Sequence, residues 1–484
     1  MSMTRAISNA MSGLSATARG TELVAANLAN VMTPGYARRE LAISPQSQGS
    51  SLGGVRVDGV VRAVNAGLLS EARAANSSQS EASTRARFQS SMEAVVGLPG
   101  EAHALATALS DFQVALSSAS ARPEDEIRLA RVLDTASTLA GRLNAAGSAV
   151  QNARTAAEQS ISADINSLNA SLDRVAYLNR HIVVVTAQGK DPSSLLDERQ
   201  QLITGISSIV PVHEVARDNG TVALFTQSGA VLLDGTSPSR FSFQPTGQIQ
   251  PDHVAGAPLS FIVQDGAEIT PGQMRMFAGG SLAGHFAVRD NLGPQLQLDL
   301  DELAFDLQAR LADPQVDATL LPGQAGLFTD AGQPADASAL AGLSLRIAVT
   351  AAVDPDQGGH LWKIRAGLNA TTGDPVSDST LLNAAMAALN ASRPSVVVGA
   401  SGGNASLASR FGQVAGRVSA DRVDAQAELA LKNARLTTTS SLLLADGVDS
   451  DSEMQRLLQY EQAYAANARV IRAIDEMINQ ILRI

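Results

Sequence analysis

The sequence predicts a mainly α-helical, multi-domain α+β chain with paired N- and C-terminal coiled-coil helices, a long helical-bundle shaft and outer β-rich modules. Three observations carry that expectation. Apolar residues follow a heptad at both ends. The stretch from Pro123 to Gly189 keeps a helical period with hardly an aromatic interruption. Two other stretches, 208–278 and 314–402, drift towards a period of two or lose their period.

The C-terminal seam is the clearest element. Leu457, Tyr464, Ile471 and Ile478 recur every seven residues, and Tyr460, Asn467, Ile474 and Ile481 each follow by three. Asn467 is the one polar slot, a residue type that commonly fixes register. The apolar pattern continues to Leu482 and Ile484, where a lone helix frays. At the other end Ile7, Met11, Leu14, Ala18, Thr21, Ala25, Leu28 and Met32 form one helical stripe. One seam returns less free energy than ordering two such helices costs. The missing surface is therefore expected from neighbouring copies, and the chain is expected to self-assemble.

The first helix should run from Thr4 to Met32 and stop ahead of Pro34, because the residue before proline is pushed out of the helical region. Pro34-Gly35 then makes a turn in which Gly35 can take positive φ. Leu41 to Val64 reads as a short extended or hairpin linker, and Ala66 to Val96 as a second helix closed by Gly97 and Pro99. A helix near 102–117 follows. ARPEDE then opens the long one, with Pro123 and three acids where a helix N-terminus favours them; Gly141 and Gly147 are places where it could split. SSLLDERQQLITGIS, residues 193–207, is a further capped helix. Asn219-Gly220 sits between alternating segments as a hairpin signal. Leu296, Leu300, Leu303, Leu307 and Leu311 restore the helical period, leaving Asp299, Asp301 and Glu302 to a solvated face. LSLRIAVTAAV and HLWKIRAGL read as strands, and Leu407 to Leu436 as a descending helix. The resulting division is 1–45 with 447–484 as terminal domain, 46–207 with 279–313 and 403–446 as shaft, and 208–278 and 314–402 as outer modules.

Two runs carry a resemblance. NLANVMTPGYARRE, residues 27–40, resembles the signature that flagellar rod, hook and hook-associated proteins bear after their first helix, and LLQYEQAYAANARVI resembles their C-terminal signature. The agreement departs at Val31, Met32, Ala37 and Glu461, changes that leave the turn chemistry intact. SSLLDERQQLITGIS resembles a motif of the hook-associated members that join hook to filament. The resemblance implies a structural subunit of the bacterial flagellum that adapts hook to filament. It also implies export without a cleaved signal peptide to the extracellular hook-filament junction. The implied partners are other copies of the chain, the hook protein, hook-associated protein 3 and a cytoplasmic export chaperone. Ile7, Met11, Leu14, Asn27, Leu28, Asn30, Pro34, Gly35 and Tyr36 are the expected N-terminal assembly residues, and Leu457, Tyr460, Tyr464, Asn467, Ile471, Ile474, Ile478 and Ile481 the C-terminal ones. The alternatives are another axial subunit, such as hook protein or hook-associated protein 3, and a cell-wall hydrolase of flagellar assembly.

Composition excludes other classes. Among 484 residues, aromatics are 3% against 45% hydrophobic, so helices must pack on small aliphatic side chains. A net charge of −11 offers nothing to phosphate or acidic lipid, so neither nucleic acid nor membrane is an expected partner. Cysteine is absent, which removes disulfides, thiolate metal sites and a Cys nucleophile. His103, His181, His213, His253, His285 and His360 stand far apart without ligand spacing. DPDQGG and VDSDSE complete no calcium loop and read as a turn and a helix cap. No nucleophile elbow or phosphate loop is present, and no catalytic residue, metal or cofactor is expected.

Overall fold

A computed structural model describes residues 3–33, 35–48, 51–395 and 403–482. The expected turn residue Pro34 lies outside these. Helix α1 spans Met3–Ala29 and the chain then turns, so the helix ends three residues before the expected Met32. Strands β1 (Arg38–Gln48) and β2 (Ser51–Ala63) form a long antiparallel hairpin packed on α1, a far more substantial element than the short linker expected there.

The shaft begins with α2 (Ala66–Val96), whose start is fixed by the Asn65 side chain accepting from Leu68 N, and whose end is fixed by Gly97 at φ 74°. Helix α3 (Leu105–Ala121) turns into α4 (Glu126–Ala187), capped by Asp125. At 62 residues α4 is about 93 Å long. It runs unbroken through the exposed Gly141 and through Gly147, which is buried against Ser344 and Leu345. Helix α5 (Ser193–Ile209) lies back along its end.

The first outer module holds a four-stranded antiparallel meander of β3 (Val212–Ala216), β4 (Val222–Thr226), β5 (Val231–Asp234) and β6 (Ser237–Pro238). Asn219 (φ 57°) and Gly220 (φ 77°) make the β3-β4 turn. Five two-residue strands follow: β7 (Phe241–Ser242), β8 (Val254–Ala255), β9 (Pro258–Leu259), β10 (Val263–Gln264) and β11 (Ala267–Glu268). Helix α6 (Gly280–Ala287) passes through a π-helical turn, Val288–Leu292, into α7 (Gly293–Leu311).

The second module is built of short pieces: β12 (Phe328–Asp330), α8 (Leu343–Arg346), β13 (Ile347–Val349), α9 (Lys363–Ala366) and α10 (Thr380–Asn390). HLWKIRAGL is thus a helical turn and not a strand; with Arg365 and Ile364 buried, the segment tucks both faces inward. Helix α11 (Leu407–Ala445) descends along α2, and α12 (Ser450–Ile481) returns to α1.

A second correction concerns Asp299, Asp301 and Glu302. The expected solvated face of α7 is covered by α11 and the second module. Asp299 is held by both Arg417 contacts at 2.8 Å, and Glu302 by Arg410 at 2.9 Å. Asp301 is buried and accepts from Gly342 N, Ser344 N, Ser344 Oγ and Gln297 Nε2. Burial still pushes its carboxyl above the usual range against those donors.

The core divides in two along α4. One cluster joins Leu129–Ala157 of α4 to α3, α7, the second module and upper α11; the other joins Ile161–Ala176 to α5, α6 and the first module. A polar layer fills the boundary. Arg289, aimed inward by the π-helical turn, meets Glu158 at 2.7 Å with both side chains fully buried. Arg154 donates through Nε to Arg289 O at 2.9 Å and through Nη1 to Gln151 Oε1, and Gln151 continues to Gln297.

Candidate functional site

The two chain ends meet as antiparallel helices with a constant register. Asn27 faces Glu453, Gly20 faces Tyr460 and Gly13 faces Asn467; each pair of residue numbers adds to 480, so the contacts step by one heptad on both helices. Of these six, Asn27, Tyr460 and Asn467 are among the expected residues, and Gly13, Gly20 and Glu453 are not. The α1 face towards α12 carries Gly13, Gly20 and Asn27, while Met11 is 60% and Met32 88% exposed. Small residues let the backbones approach, so Tyr460 and Asn467 use space that a Cβ would occupy. Leu28 is also turned outward, Ile7 and Leu14 are half-buried, and Ala18 and Ala25 are exposed. On α12, Ile474 is buried, Leu457, Ile471 and Ile478 are half-buried, and Tyr464 and Ile481 are exposed.

Two heptad-spaced glycines inside a helix, each costing about 1 kcal/mol relative to alanine, were the available signal for this close approach.

Below the seam Asn27 organises the turn. Its Nδ2 donates to Arg39 O (2.9 Å) and Glu453 Oε2 (3.0 Å), and its Oδ1 accepts from Tyr36 Oη (2.9 Å) and Arg39 N (3.0 Å). All four of its hydrogen-bonding positions are used and the side chain is fully buried. Asn30 closes its own turn, donating to Ala26 O and accepting from Thr33 Oγ1. Gly35 has φ 78°, and a Cβ there would lie 2.5 Å from Gln201 Cγ. Burial raises the Tyr36 hydroxyl above its ordinary pKa, opposed by the Arg39 guanidinium stacked 4.9 Å from its ring.

The LLDERQ run fastens this end to the shaft. Asp197 takes Arg39 at 2.9 Å and Arg62 at 2.6 Å, Glu198 takes Arg174 of α4, and Arg199 donates to Asn179 Oδ1 and Gly220 O. Burial lowers Arg199 to about 10. Arg39, Arg62, Asp197 and Glu453 were not legible as site residues, because their partners lie more than a hundred residues apart or across a strand pair.

Among the described residues no His, Cys, Asp and Glu group could hold a metal ion, and no helix is long and apolar enough to cross a membrane.

Known proteins match the same segments. The family model described as the flagellar hook-associated protein FlgK helical domain matches residues 90–328, that of flagella basal body rod protein matches 7–36, and that of flagellar basal body rod FlgEFG protein C-terminal matches 442–484. Flagellar hook-associated protein 1 of Bacillus subtilis is 23% identical over 511 residues, covering 99% of this chain and 96% of the relative. The chain is similar to flagellar hook-associated protein 1 in its helical middle and along its length. The Escherichia coli relative of that name is 25% identical over 251 residues, a match to 50% of this chain and 46% of the relative, so the match spans about half of that relative's length. The solved flagellar hook junction protein FlgK from Burkholderia pseudomallei aligns with a TM-score of 0.45 at 21% identity, covering 54% of this chain and 46% of that one.

The hook-associated match contains α5 with Asp197, and the two rod-type matches contain most of α1 and all of α12; Arg39 and Arg62 of the hairpin, which Asp197 binds, lie between the matched segments. The two paired ends are thus covered by separate family models that the fold brings into contact.

Proposed function

We propose that this hook-associated chain is a non-enzymatic structural subunit that self-assembles at the extracellular hook-filament junction and adapts hook to filament. The observation that carries the reading is the order of the three family matches, with rod-type ends flanking a hook-associated helical middle. The outward large side chains of α1 and α12, Met11, Leu28, Tyr464 and Ile481, are the surface offered to neighbouring copies. Hook protein and hook-associated protein 3 are its axial neighbours, and an export chaperone covers the C-terminal helix before passage without signal-peptide cleavage. Residues 1–45 with 447–484 form the assembling domain, 46–207 with 279–313 and 403–446 the shaft, and 208–278 and 314–402 the outward modules.

The test is deletion and complementation. Cells without the gene should build hooks and release unpolymerised flagellin, and the exported chain should keep its full N-terminus by intact mass. Filaments of normal length on the deletion strain would refute the reading.

A further inference from the structure

Two stripes on the lower shaft face away from the rest of the described chain. Helix α11 turns one heptad seam, Ala425, Leu429, Leu436 and Thr439, towards α2. Its outer face repeats that spacing with Val423, Ala427, Ala430, Ala434, Thr437 and Ser441, all exposed and all uncharged. A helix face that meets only water normally carries charge; here Asp424, Glu428 and Arg435 stand at its flank and the middle is a shallow, alanine-lined face. The second stripe is a ridge on α4. The Arg174 guanidinium lies 5.0 Å over the Tyr177 ring, Tyr177 stacks on His181 at 5.9 Å and 9°, and Val184 follows at the next heptad position. Tyr177 is 45% and Val184 50% exposed, and Tyr and Arg are the residue types that anchor interfaces. Glu198 already pairs with Arg174, so covering the ridge strands no charge.

The ridge and the flat face match in direction and in level. Helices α4 and α11 both leave the upper core cluster and descend, so they run the same way. Asp164 of α4 accepts from Ser281 of α6 at 2.7 Å, and Gly284 of α6 lies against Thr84 of α2. On either side of Thr84, α2 meets α11, through Ser90 at Gln426 (3.4 Å) and through Glu71 at Arg435 (3.4 Å). The two stripes therefore overlap along the lower shaft, with α2, α5 and α6 between them. One chain cannot bring them together. Two upright copies side by side can, setting large side chains into a small-residue face. Because the two patches differ, such a contact repeats from copy to copy. Its footprint, about 27 Å long and about 10 Å wide, is well under the roughly 800 Å² per partner of a stable complex, so it forms only where copies are already held in place.

We propose that the Arg174–Tyr177–His181–Val184 ridge of α4 docks on the Val423–Ser441 face of α11 in a neighbouring, identically oriented copy of this chain. The contact names the shaft surface used in the self-assembly proposed above and rests on that reading.

The absence of cysteine lets paired cysteines report the contact without background. Ala170→Cys, one turn above the ridge, is combined with Ala427→Cys, Ala430→Cys or Ala434→Cys, which together span about 10 Å of axial offset; all four positions are exposed. Hooks with attached filaments from complemented deletion cells are treated with a short bismaleimide, which tolerates more separation than a disulfide, and then denatured. At least one double variant should give a ladder of dimers and larger multimers. Each cysteine alone should give none, nor should Ala170→Cys with Ser117→Cys at the top of the shaft. Adding Tyr177→Ala should weaken the ladder several-fold and leave the thermal midpoint of the purified chain unchanged. Chain present in the isolated hooks with no ladder at any of the three levels would overturn the contact and leave the junction reading standing, as would an equal ladder from the Ser117 control. Absence of the parent chain from isolated hooks would remove both.

Discussion

Gly20 of α1 lies beneath the phenol ring of Tyr460, so close that a Cβ on Gly20 would stand 2.5 Å from Tyr460 Cζ. The two terminal helices are spaced by what α1 lacks. Gly20→Ala should therefore part the helices at mid-length, and Gly20→Ala with Tyr460→Leu should bring them back, since the smaller side chain yields the space. Cysteine crosslinking across the pair would register this; equal crosslinking in Gly20→Ala and parent would contradict it.

Asn27→Asp is nearly isosteric yet should be severe. It removes the two donors given to Arg39 O and Glu453 Oε2 and sets two carboxylates together in a buried place. The cost should be at least about 2 kcal/mol, the order expected when a buried polar group loses its partner. Hydrogen exchange at the start of α12 would report it as lost protection, and unchanged protection would count against the role given to Asn27.

Ile474 and Ile481 occupy equivalent heptad positions but different surroundings, 4% and 61% exposed. Ile474→Asp should loosen α12 from α1 within the single chain. Ile481→Asp should leave the chain's stability unchanged and reduce filament retention on the hook, because its cost arises only where a neighbouring copy covers it. Thermal unfolding beside electron microscopy of complemented cells separates the two; identical behaviour of both variants would show that they share one role.

Gly35→Val combines a positive φ, which β-branched residues tolerate poorly, with overlap on Gln201. Motility of complemented cells should fall sharply. Normal swimming would show that the turn accepts an ordinary residue.

In the shaft, Glu158→Gln leaves Arg289 buried with one charge partner fewer and should cost about 3 kcal/mol by denaturant unfolding. Asp134→Asn, at a pair in which both side chains are about two-thirds exposed, should cost less than about 1 kcal/mol. Similar losses at the two sites would refute the distinction.

Much of the helical plan was legible, because caps and periods are local. Asn65 and Gly97 bracket α2, Asp125 starts α4, and Asn219-Gly220 turns β3 into β4. What failed to show depends on partners distant in sequence. The apolar stripe of α1 was read as the face towards α12, whereas the closer fit comes from Gly13 and Gly20, which carry no hydrophobic signal. Asp299 and Asp301 stand opposite a leucine stripe and so look solvated, and nothing local reveals that Arg417 and Ser344 come to meet them. Asp197 likewise reads as one charge on a capped helix until Arg39 and Arg62 are brought side by side.

Beside the apolar clusters it shares with the outer modules, helix α4 holds them by several bonds to their peptide groups. Asn144 donates to Ser344 O and Ile347 O, Arg154 to Gln250 O and His253 O, Asn179 to Val222 O and Gly235 O, and Asn169 exchanges two bonds with the Phe241 backbone. A carbonyl is the same whatever residue bears it. The modules are therefore free to diverge in surface and even in size so long as a few loops pass α4 at the right height, while Asn144, Arg154, Asn169 and Asn179 are not: one helix acts as a socket whose occupants can be exchanged.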